Sequence, residues 1–338
     1  MSGYPVIWVL LGDKTGDNNQ LLALAEALGW PFETKTLRYN LVRAIPPRNL
    51  GATTASLTRA SRAMLRSPWP DLILAIGRRS TPAILWISEH SPETRLVLVG
   101  HPRVEPERFD LVITTRQYPV PPRKNVVTLP LAMSRQRDPG VPTAEERAFF
   151  AALPRPHLLF AMGGPTKYWE LDEKSVGCAL DSALARAEAS GGTLIAVPSR
   201  RTPDELIERA TKRLGGGRHR LVLGETPRFP MLMADADEIF VTADSVSMLS
   251  EAIHTGKPVG LVPLTMSPKG AKVLGGNSET GFGWGYGRRD LRRIWEQLSS
   301  DGLVGTVDQP RAGSLSRDSV EMAAAAVRKM MSGGNDDA

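Results

Sequence analysis

Short apolar, β-rich runs alternate with amphipathic stretches of helical period from one end of this chain to the other. A strand that is apolar at successive positions must be covered on both faces, and the intervening helices supply that cover. The rhythm therefore predicts parallel sheets packed between helices. In the first half, strands are expected over 6–12, 31–37, 71–77, 95–100, 110–115 and 125–130, with helices over 17–29, 54–66 and 80–90. The segment 134–156 turns charged and proline-rich, the composition of a linker with one short helix. A second series then begins, with strands over 157–163, 193–199, 219–224, 238–243 and 258–264. Its helices fall near 172–190, 203–214, 228–235, 245–255 and 290–299.

The expected fold class is α/β, with two Rossmann-like parallel-sheet domains facing a cleft. A length of 338 residues exceeds what one core usually serves. The division runs 1–140 for the first domain, 141–156 for the linker and 157–318 for the second domain. An Ala-rich closing helix follows over 319–331, and residues 332–338 form a disordered tail. The apolar run after Met1 is too short to span a bilayer and has no basic region before it, so it reads as a first buried strand.

Charge and cysteine usage narrow the function classes. The net charge of +6 suits anionic partners, either phosphorylated substrates or a negative membrane face. No helix-turn-helix, zinc-finger or RNA-recognition signature accompanies it, so nucleic acid is not an expected partner. The single cysteine, Cys178, cannot form an internal disulfide. It points to a reducing, cytoplasmic compartment and reads as a small buried residue with no chemical role. With one cysteine and five unpaired histidines, no metal site is expected.

Ligands of open α/β sheets bind beyond the carboxyl ends of strands, where the amides of helix N-termini point outward. Gly12-Asp13-Lys14-Thr15-Gly16-Asp17-Asn18 is such a junction. It gives Gly12, Lys14 and Gly16 as an acceptor-side loop and Asp17 as a general base; in the other reading, Asp17 or Asn18 caps the helix. At Gly77-Arg78-Arg79-Ser80-Thr81-Pro82, Ser80 suits an N-cap with proline in the first turn, while Arg78 and Arg79 face an anion or solvent. His101, at another strand end, has an ordinary pKa near working pH and is a second acid–base candidate; a structural loop histidine is the alternative.

Three further junctions lie in the second half. Gly163 and Gly164 allow close backbone approach to a diphosphate, with Thr166 and Lys167 adding a hydroxyl and a charge. The spacing is neither a Walker loop nor a dinucleotide fingerprint, and no Gly-x-Gly-x-x-Gly follows the first strand, which sets aside a nicotinamide oxidoreductase. Ser199-Arg200-Arg201-Thr202-Pro203 repeats the arginine-pair corner, where Arg200 or Arg201 can clamp phosphate. In Thr242-Ala243-Asp244-Ser245-Val246-Ser247, Asp244 or Ser245 caps the next helix, and Ser247 and Glu251 share a face at i, i+4. Amides at Ser245–Ser247 would meet a diphosphate and Glu251 a ribose; an N-capped helix with a solvated glutamate is the plainer reading.

Several of these blocks resemble the "elongate mitochondria" mitochondrial-fission family, whose bacterial members are described as glycosyltransferases. They are Gly77-Arg78-Arg79-Ser80-Thr81-Pro82-Ala83, Gly163-Gly164-Pro165-Thr166, Ser199-Arg200-Arg201-Thr202-Pro203 and Val241-Thr242-Ala243-Asp244-Ser245-Val246-Ser247, and the likeness runs from about Val6 to Gly302. The resemblance implies a glycosyltransferase-B-like fold. By analogy with that superfamily, Gly163, Gly164, Ser245 and Ser247 meet a diphosphate and Glu251 a ribose. Pro165, standing where a hydroxyl would serve phosphate better, is a departure.

The expected function is sugar transfer from a nucleoside-diphosphate sugar, without a metal ion or other cofactor, in envelope polysaccharide or lipopolysaccharide synthesis. A non-catalytic nucleotide-sugar-binding scaffold and a nucleotide-sugar epimerase are the alternatives. Residues 38–69 carry six arginines among Leu, Ile, Pro and Trp69. That composition suits an anionic inner-membrane surface or a lipid-linked acceptor; a helix with a solvated basic face is the alternative.

Overall fold

A computed structural model describes residues 3–134, 138–275 and 288–333. The chain divides into two compact units. The first comprises Met1–Ser134, Glu279–Asp290 and Arg317–Ala338, and the second Arg135–Ser278 and Leu291–Ser316.

The first unit runs β1 (Ile7–Leu11), α1 (Thr15–Leu28), β2 (Phe32–Thr36), α2 (Pro47–Leu50), α3 (Arg59–Ala63), β3 (Leu72–Ile76), α4 (Gly77–His90), β4 (Arg95–Val99), β5 (Leu111–Thr115) and β6 (Val126–Leu129). Its six strands are all parallel, in the order β2-β1-β3-β4-β5-β6. Alternate residues of β1, β3, β4 and β5 serve different cores. Ile7, Val9, Leu72, Leu74, Val97 and Val99 pack with Leu21, Leu24 and Leu28 of α1. Trp8, Leu10, Ile73, Ala75, Leu96 and Leu98 pack with Ala83, Ile84, Leu85 and Ile87 of α4. Two buried faces explain why these strands read as unbroken apolar runs. The first run is β1, interior to the sheet.

The second unit continues with α5 (Ala144–Ala151), β7 (His157–Met162), β8 (Trp169–Glu170), α6 (Cys178–Ala189), β9 (Thr193–Pro198), α7 (Asp204–Leu214), β10 (Arg220–Leu221), α8 (Phe229–Asp235), β11 (Glu238–Thr242), α9 (Val246–His254), β12 (Val259–Val262), β13 (Thr265–Met266), α10 (Pro268–Leu274) and α11 (Arg292–Ser300). Five parallel strands lie in the order β10-β9-β7-β11-β12, and β8 and β13 form a separate antiparallel pair. Phe160 and Phe240, both fully buried, sit side by side on the central strands β7 and β11.

The last helix, α12 (Ser319–Met331), belongs to the first unit. Val320, Ala323, Ala324 and Val327 complete the α1 side of its core, and Arg328 donates to the Ala27 carbonyl. The segment expected to link the domains holds α5 and belongs to the second unit. Residues 334–338 of the expected tail lie outside the described residues.

Some local expectations need correction. Of the helix expected over 54–66, only Arg59–Ala63 forms. Upstream, residues 54–57 form a turn closed by the Leu57 amide on the Thr54 carbonyl. Tyr39 pairs with Leu57 in an isolated bridge and Asn40 donates to the Ala55 and Leu57 carbonyls, which keeps the backbone out of helix until Thr58 caps α3. Cys178, expected to be buried, is exposed. It opens α6 on the side away from Ala179, Leu180, Ala183 and Ala187, which face the core.

Helix α5 is fastened by charge. Thr143 and Glu146 form a reciprocal capping box, and the buried Glu146 carboxylate also accepts from the Nε, Nη2 and backbone N–H of Arg228 at 2.8, 2.8 and 3.0 Å. The Arg228 side chain, then the Thr143 amide, pull the Glu146 pKa down from 4.5 to about 2. A depressed carboxylate pKa stabilises the fold above the unfolded value, and the effect disappears as pH falls through the folded one. The stability difference between wild type and Glu146→Gln should therefore be constant above pH 4.5 and shrink toward zero near pH 2, measured by urea unfolding across that range.

Candidate functional site

In the second sheet the strand order reverses between β7 and β11, since the chain moves outward from β7 through β9 to β10 and then returns to β11 and β12. Such a switch point opens a crevice at the strands' carboxyl ends. Here the crevice floor is occupied by the protein's own carboxylate. Asp244, with no side-chain exposure, accepts from the Gly164 amide at 3.0 Å, the Thr242 hydroxyl at 2.8 Å and Arg201 Nη2 at 2.7 Å. Thr242 Oγ1 in turn accepts from the Gly163 amide at 2.7 Å.

This arrangement corrects the reason for two glycines. A Cβ at Gly163 would lie 2.0 Å from Asp244 Oδ1, and one at Gly164 would lie 2.4 Å from the Arg201 carbonyl. The close approach is to Asp244 and to the Arg201 turn, both belonging to the chain itself, and the Gly164 amide is already used. The Thr166 amide bonds the Trp169 carbonyl, and the exposed Lys167 lies 5.4 Å from the Tyr168 ring centroid.

Thr202 does work that the sequence reading did not assign to it. Its buried hydroxyl donates to the Gly163 carbonyl at 2.6 Å and accepts from the Ser199 amide at 2.9 Å, pinning the turn after β9 to the end of β7. The Thr-Pro pair at the start of α7 was the available signal, because it marks a turn that needs a local acceptor. On that turn Arg200 and Arg201 are both exposed, and Arg201 also reaches Asp244. The Arg201–Asp244 pair thus ties the β9–α7 turn to the β11–α9 junction.

Ser245, and not Asp244, is the N-cap of α9; its hydroxyl accepts from the Met248 amide. The first amides of a helix have no acceptor inside it, so those of Val246 and Ser247 lie at the positive end of the helix dipole without an intrahelical partner, Val246 buried and Ser247 half-exposed. Ser247 and Glu251 follow each other on one half-exposed face. At the other side of the junction, Trp295 of α11 donates to the Ala243 carbonyl at 2.9 Å and stacks edge-on against Trp169.

The first unit's switch point, between β1 and β3, shows the same device. Asp13 accepts from Arg79 Nη1 through both oxygens at 2.8 Å, with Arg43 at 3.9 Å. Burial would raise the Asp13 pKa, but its backbone hydrogen bond and the two arginines outweigh that and hold it below the ordinary value. Arg79 is thus committed to Asp13, while Arg78 is exposed. Asp17 lies in the first turn of α1, 3.7 Å from Lys14, and neither it nor Asn18 caps the helix. Helix α1 starts two residues earlier than expected, at Thr15, so Gly16 is helical, and the Asn18 amide instead bonds both backbone groups of Gly12 at 2.8 and 2.9 Å. Ser80 does not cap α4 either. That helix begins at Gly77, whose φ of 72° favours glycine, and Ser80 bonds back to the Ile76 and Gly77 carbonyls.

His101 is removed from acid–base work. It is buried, its Nδ1 accepts from the Arg103 amide, and burial followed by the Arg103 charge lowers its pKa to about 3. At neutral pH it is an uncharged imidazole and a very weak base.

Two units, one with a six-stranded and one with a five-stranded parallel sheet, define the glycosyltransferase-B class of fold, the scaffold of nucleotide-sugar-handling enzymes. Solved structures bear this out at the level of fold. UDP-GlcNAc 2-epimerase from Methanocaldococcus jannaschii is 12% identical, covers 97% of this chain and 99% of its own, and has a TM-score of 0.52. Staphylococcus aureus MnaA, solved with UDP, is 12% identical with a TM-score of 0.52, covering 96% and 95%. Arabidopsis thaliana UGT89C1, complexed with quercetin, is 12% identical with a TM-score of 0.53, covering 98% and 90%.

Residues 15–277 match the family described as mitochondrial fission ELM1, and the chain belongs to that family. It is 28% identical over 240 residues to the Arabidopsis thaliana mitochondrial fission protein ELM1, covering 63% of this chain and 56% of the plant protein. It is 23% identical over 300 residues to protein RP120 of Rickettsia prowazekii, covering 75% and 82%.

Two measurements check this geometry. Gly163→Ala should destabilise the protein by roughly 1–3 kcal/mol or more through overpacking, and the same change should cost less in an Asp244→Ala background, a non-additivity read by denaturant unfolding. The His101 ring should stay neutral by NMR from pH 7 to near pH 4. Because the unfolded chain takes that proton at 6.5 and the folded one at about 3, His101 should lower stability progressively as pH falls between those values.

Proposed function

We propose that the protein binds a nucleoside-diphosphate sugar on its second unit and transfers the sugar to a hydroxyl acceptor. The observation that carries the reading is the start of α9, where the first-turn amides of Val246 and Ser247 have no acceptor within the helix and half-exposed Ser247 stands one turn before half-exposed Glu251 on the same face. The amides and helix dipole suit a diphosphate, and a carboxylate one turn deeper suits the paired hydroxyls of a ribose. Arg200, exposed on the turn that Arg201 anchors, supplies mobile positive charge beside them. These groups oppose the charge that grows on a departing nucleoside diphosphate, a preorganised electrostatic contribution that does not call for a divalent ion. Asp17, half-exposed and 3.7 Å from Lys14, is the carboxylate proposed to accept the acceptor's proton.

A thermal-shift panel of UDP-, GDP-, ADP- and CMP-sugars tests binding. One nucleotide class should raise the melting temperature of the wild type, and Glu251→Ala should weaken that binding by about ten- to a hundred-fold, the worth of hydrogen bonds to a charged group. Transfer, followed with the stabilising donor and a hydroxyl acceptor, should survive EDTA and fall sharply in Asp17→Asn with donor binding unchanged. Stabilisation by no nucleotide sinks the donor site. Stabilisation without any transfer or donor hydrolysis would reduce the protein to a nucleotide-sugar-binding module.

A further inference from the structure

Residues 34–70 contain seven basic side chains, one lysine and six arginines, and not a single Asp or Glu. An acid-free run of that length in a chain with 36 acidic residues leaves the segment without its own counter-charges. Arg38, Arg48, Arg59, Arg62 and Arg66 are exposed, and Arg43 is the member drawn toward Asp13. Interspersed with them are apolar side chains that the fold does not cover: Leu41 is 90% exposed, Ile45 44% and Met64 36%.

The two arms of the segment form one surface. The Thr58 amide donates to the Arg38 carbonyl, and the Arg38 amide donates to Ser61 Oγ. Asn40 clamps the Ala55 and Leu57 carbonyls and caps the short turn Leu41–Ala44. Leu57 and Leu65 beneath are buried in the core with α4. The platform is thus rigid below and basic and apolar above. Exposed leucine and isoleucine cost free energy in water, and arginine stems can cover apolar neighbours while their heads reach outward.

We propose that this face docks on an anionic bilayer surface, with Leu41 and Ile45 entering the headgroup–acyl boundary and the arginines meeting lipid phosphates. Charge complementarity selects the occupant. Exposed arginines such as Arg38, Arg59, Arg62 and Arg66 around protruding aliphatics fit a surface that is negative outside and apolar just beneath, whereas a nucleic-acid groove has no use for Leu41. The docking does not depend on the nucleotide-sugar reading.

Cosedimentation with vesicles decides the matter. The full chain should pellet with phosphatidylcholine–phosphatidylglycerol vesicles and stay in solution with phosphatidylcholine alone, and raised salt should release it. Arg59→Gln/Arg62→Gln/Arg66→Gln should weaken partitioning by roughly a hundred-fold, at about five-fold per basic residue near a charged membrane. Leu41→Ser/Ile45→Ser should also weaken it while leaving the salt dependence in place. Both variants alter exposed side chains, and unchanged melting temperatures would confirm that they fold. Equal partitioning onto both vesicle types, none onto either, or an unaffected arginine variant overturns the proposal. So does duplex DNA of matched phosphate content stripping the protein from vesicles while the apolar variant binds them like wild type.

Discussion

A carboxylate with no exposure to water has to be fully partnered, because an unpaired buried charge costs several kcal/mol. Asp244 meets that demand with the Gly164 amide, the Thr242 hydroxyl and the Arg201 guanidinium, groups from three different strand ends. The local consequences follow in order. Position 163 has no room for a side chain, the turn after β9 must bring Arg201 inward, and Thr202 must hold that turn against the end of β7. Once these are set, the junction leading into α9 is fixed on one side, and the Trp295 bond to the Ala243 carbonyl fixes it on the other. The start of α9 is therefore presented on a rigid support, which is the condition for a helix terminus to act as a preorganised anion site.

Both units place an Asp–Arg pair at the switch point, but the two pairs differ in kind. Asp244 is sealed, and its loss would leave Arg201, the Gly164 amide and the Thr242 hydroxyl without this acceptor. Asp13 is about half-exposed on its side chain, and its arginines come from elsewhere, Arg79 from the start of α4 and Arg43 from the basic platform. An exposed pair of this sort contributes little to stability. It does set the local potential, and it raises the pKa of Tyr39, whose hydroxyl is buried and then further disfavoured from ionising by the Asp13 charge.

The strands were legible in the sequence because parallel, doubly covered strands leave an unmistakable apolar run, and each expected sheet strand has its counterpart. The 54–66 segment was not, since its composition suits a helix while the Asn40 clamp and the Tyr39–Leu57 bridge, both long-range, fix its first part as a turn. The importance of Gly163, Gly164, Arg201 and Asp244 was visible as well. Their relationship was hidden, because sequence spacing cannot say whether glycine makes room for a ligand or for another part of the chain. His101 failed for a similar reason: a histidine at a strand end looks the same whether the end is open or covered, and only burial separates a titrating imidazole from a neutral one.

The paired arginines illustrate how adjacent residues of one type can have opposite duties. Arg200 and Arg201 share a turn and are both exposed, but Arg201 gives one Nη to the buried Asp244 carboxylate. In the first unit Arg79 is bound by Asp13 while Arg78 is exposed. In each corner one arginine is held by a neighbouring strand end, and that anchoring fixes the turn from which its neighbour projects. An arginine that both braced the loop and gripped a ligand would have to break the first contact to make the second. Dividing the work between adjacent residues removes that conflict, and it keeps a positive charge available at the carboxyl edge of each sheet without loosening the loops that carry it.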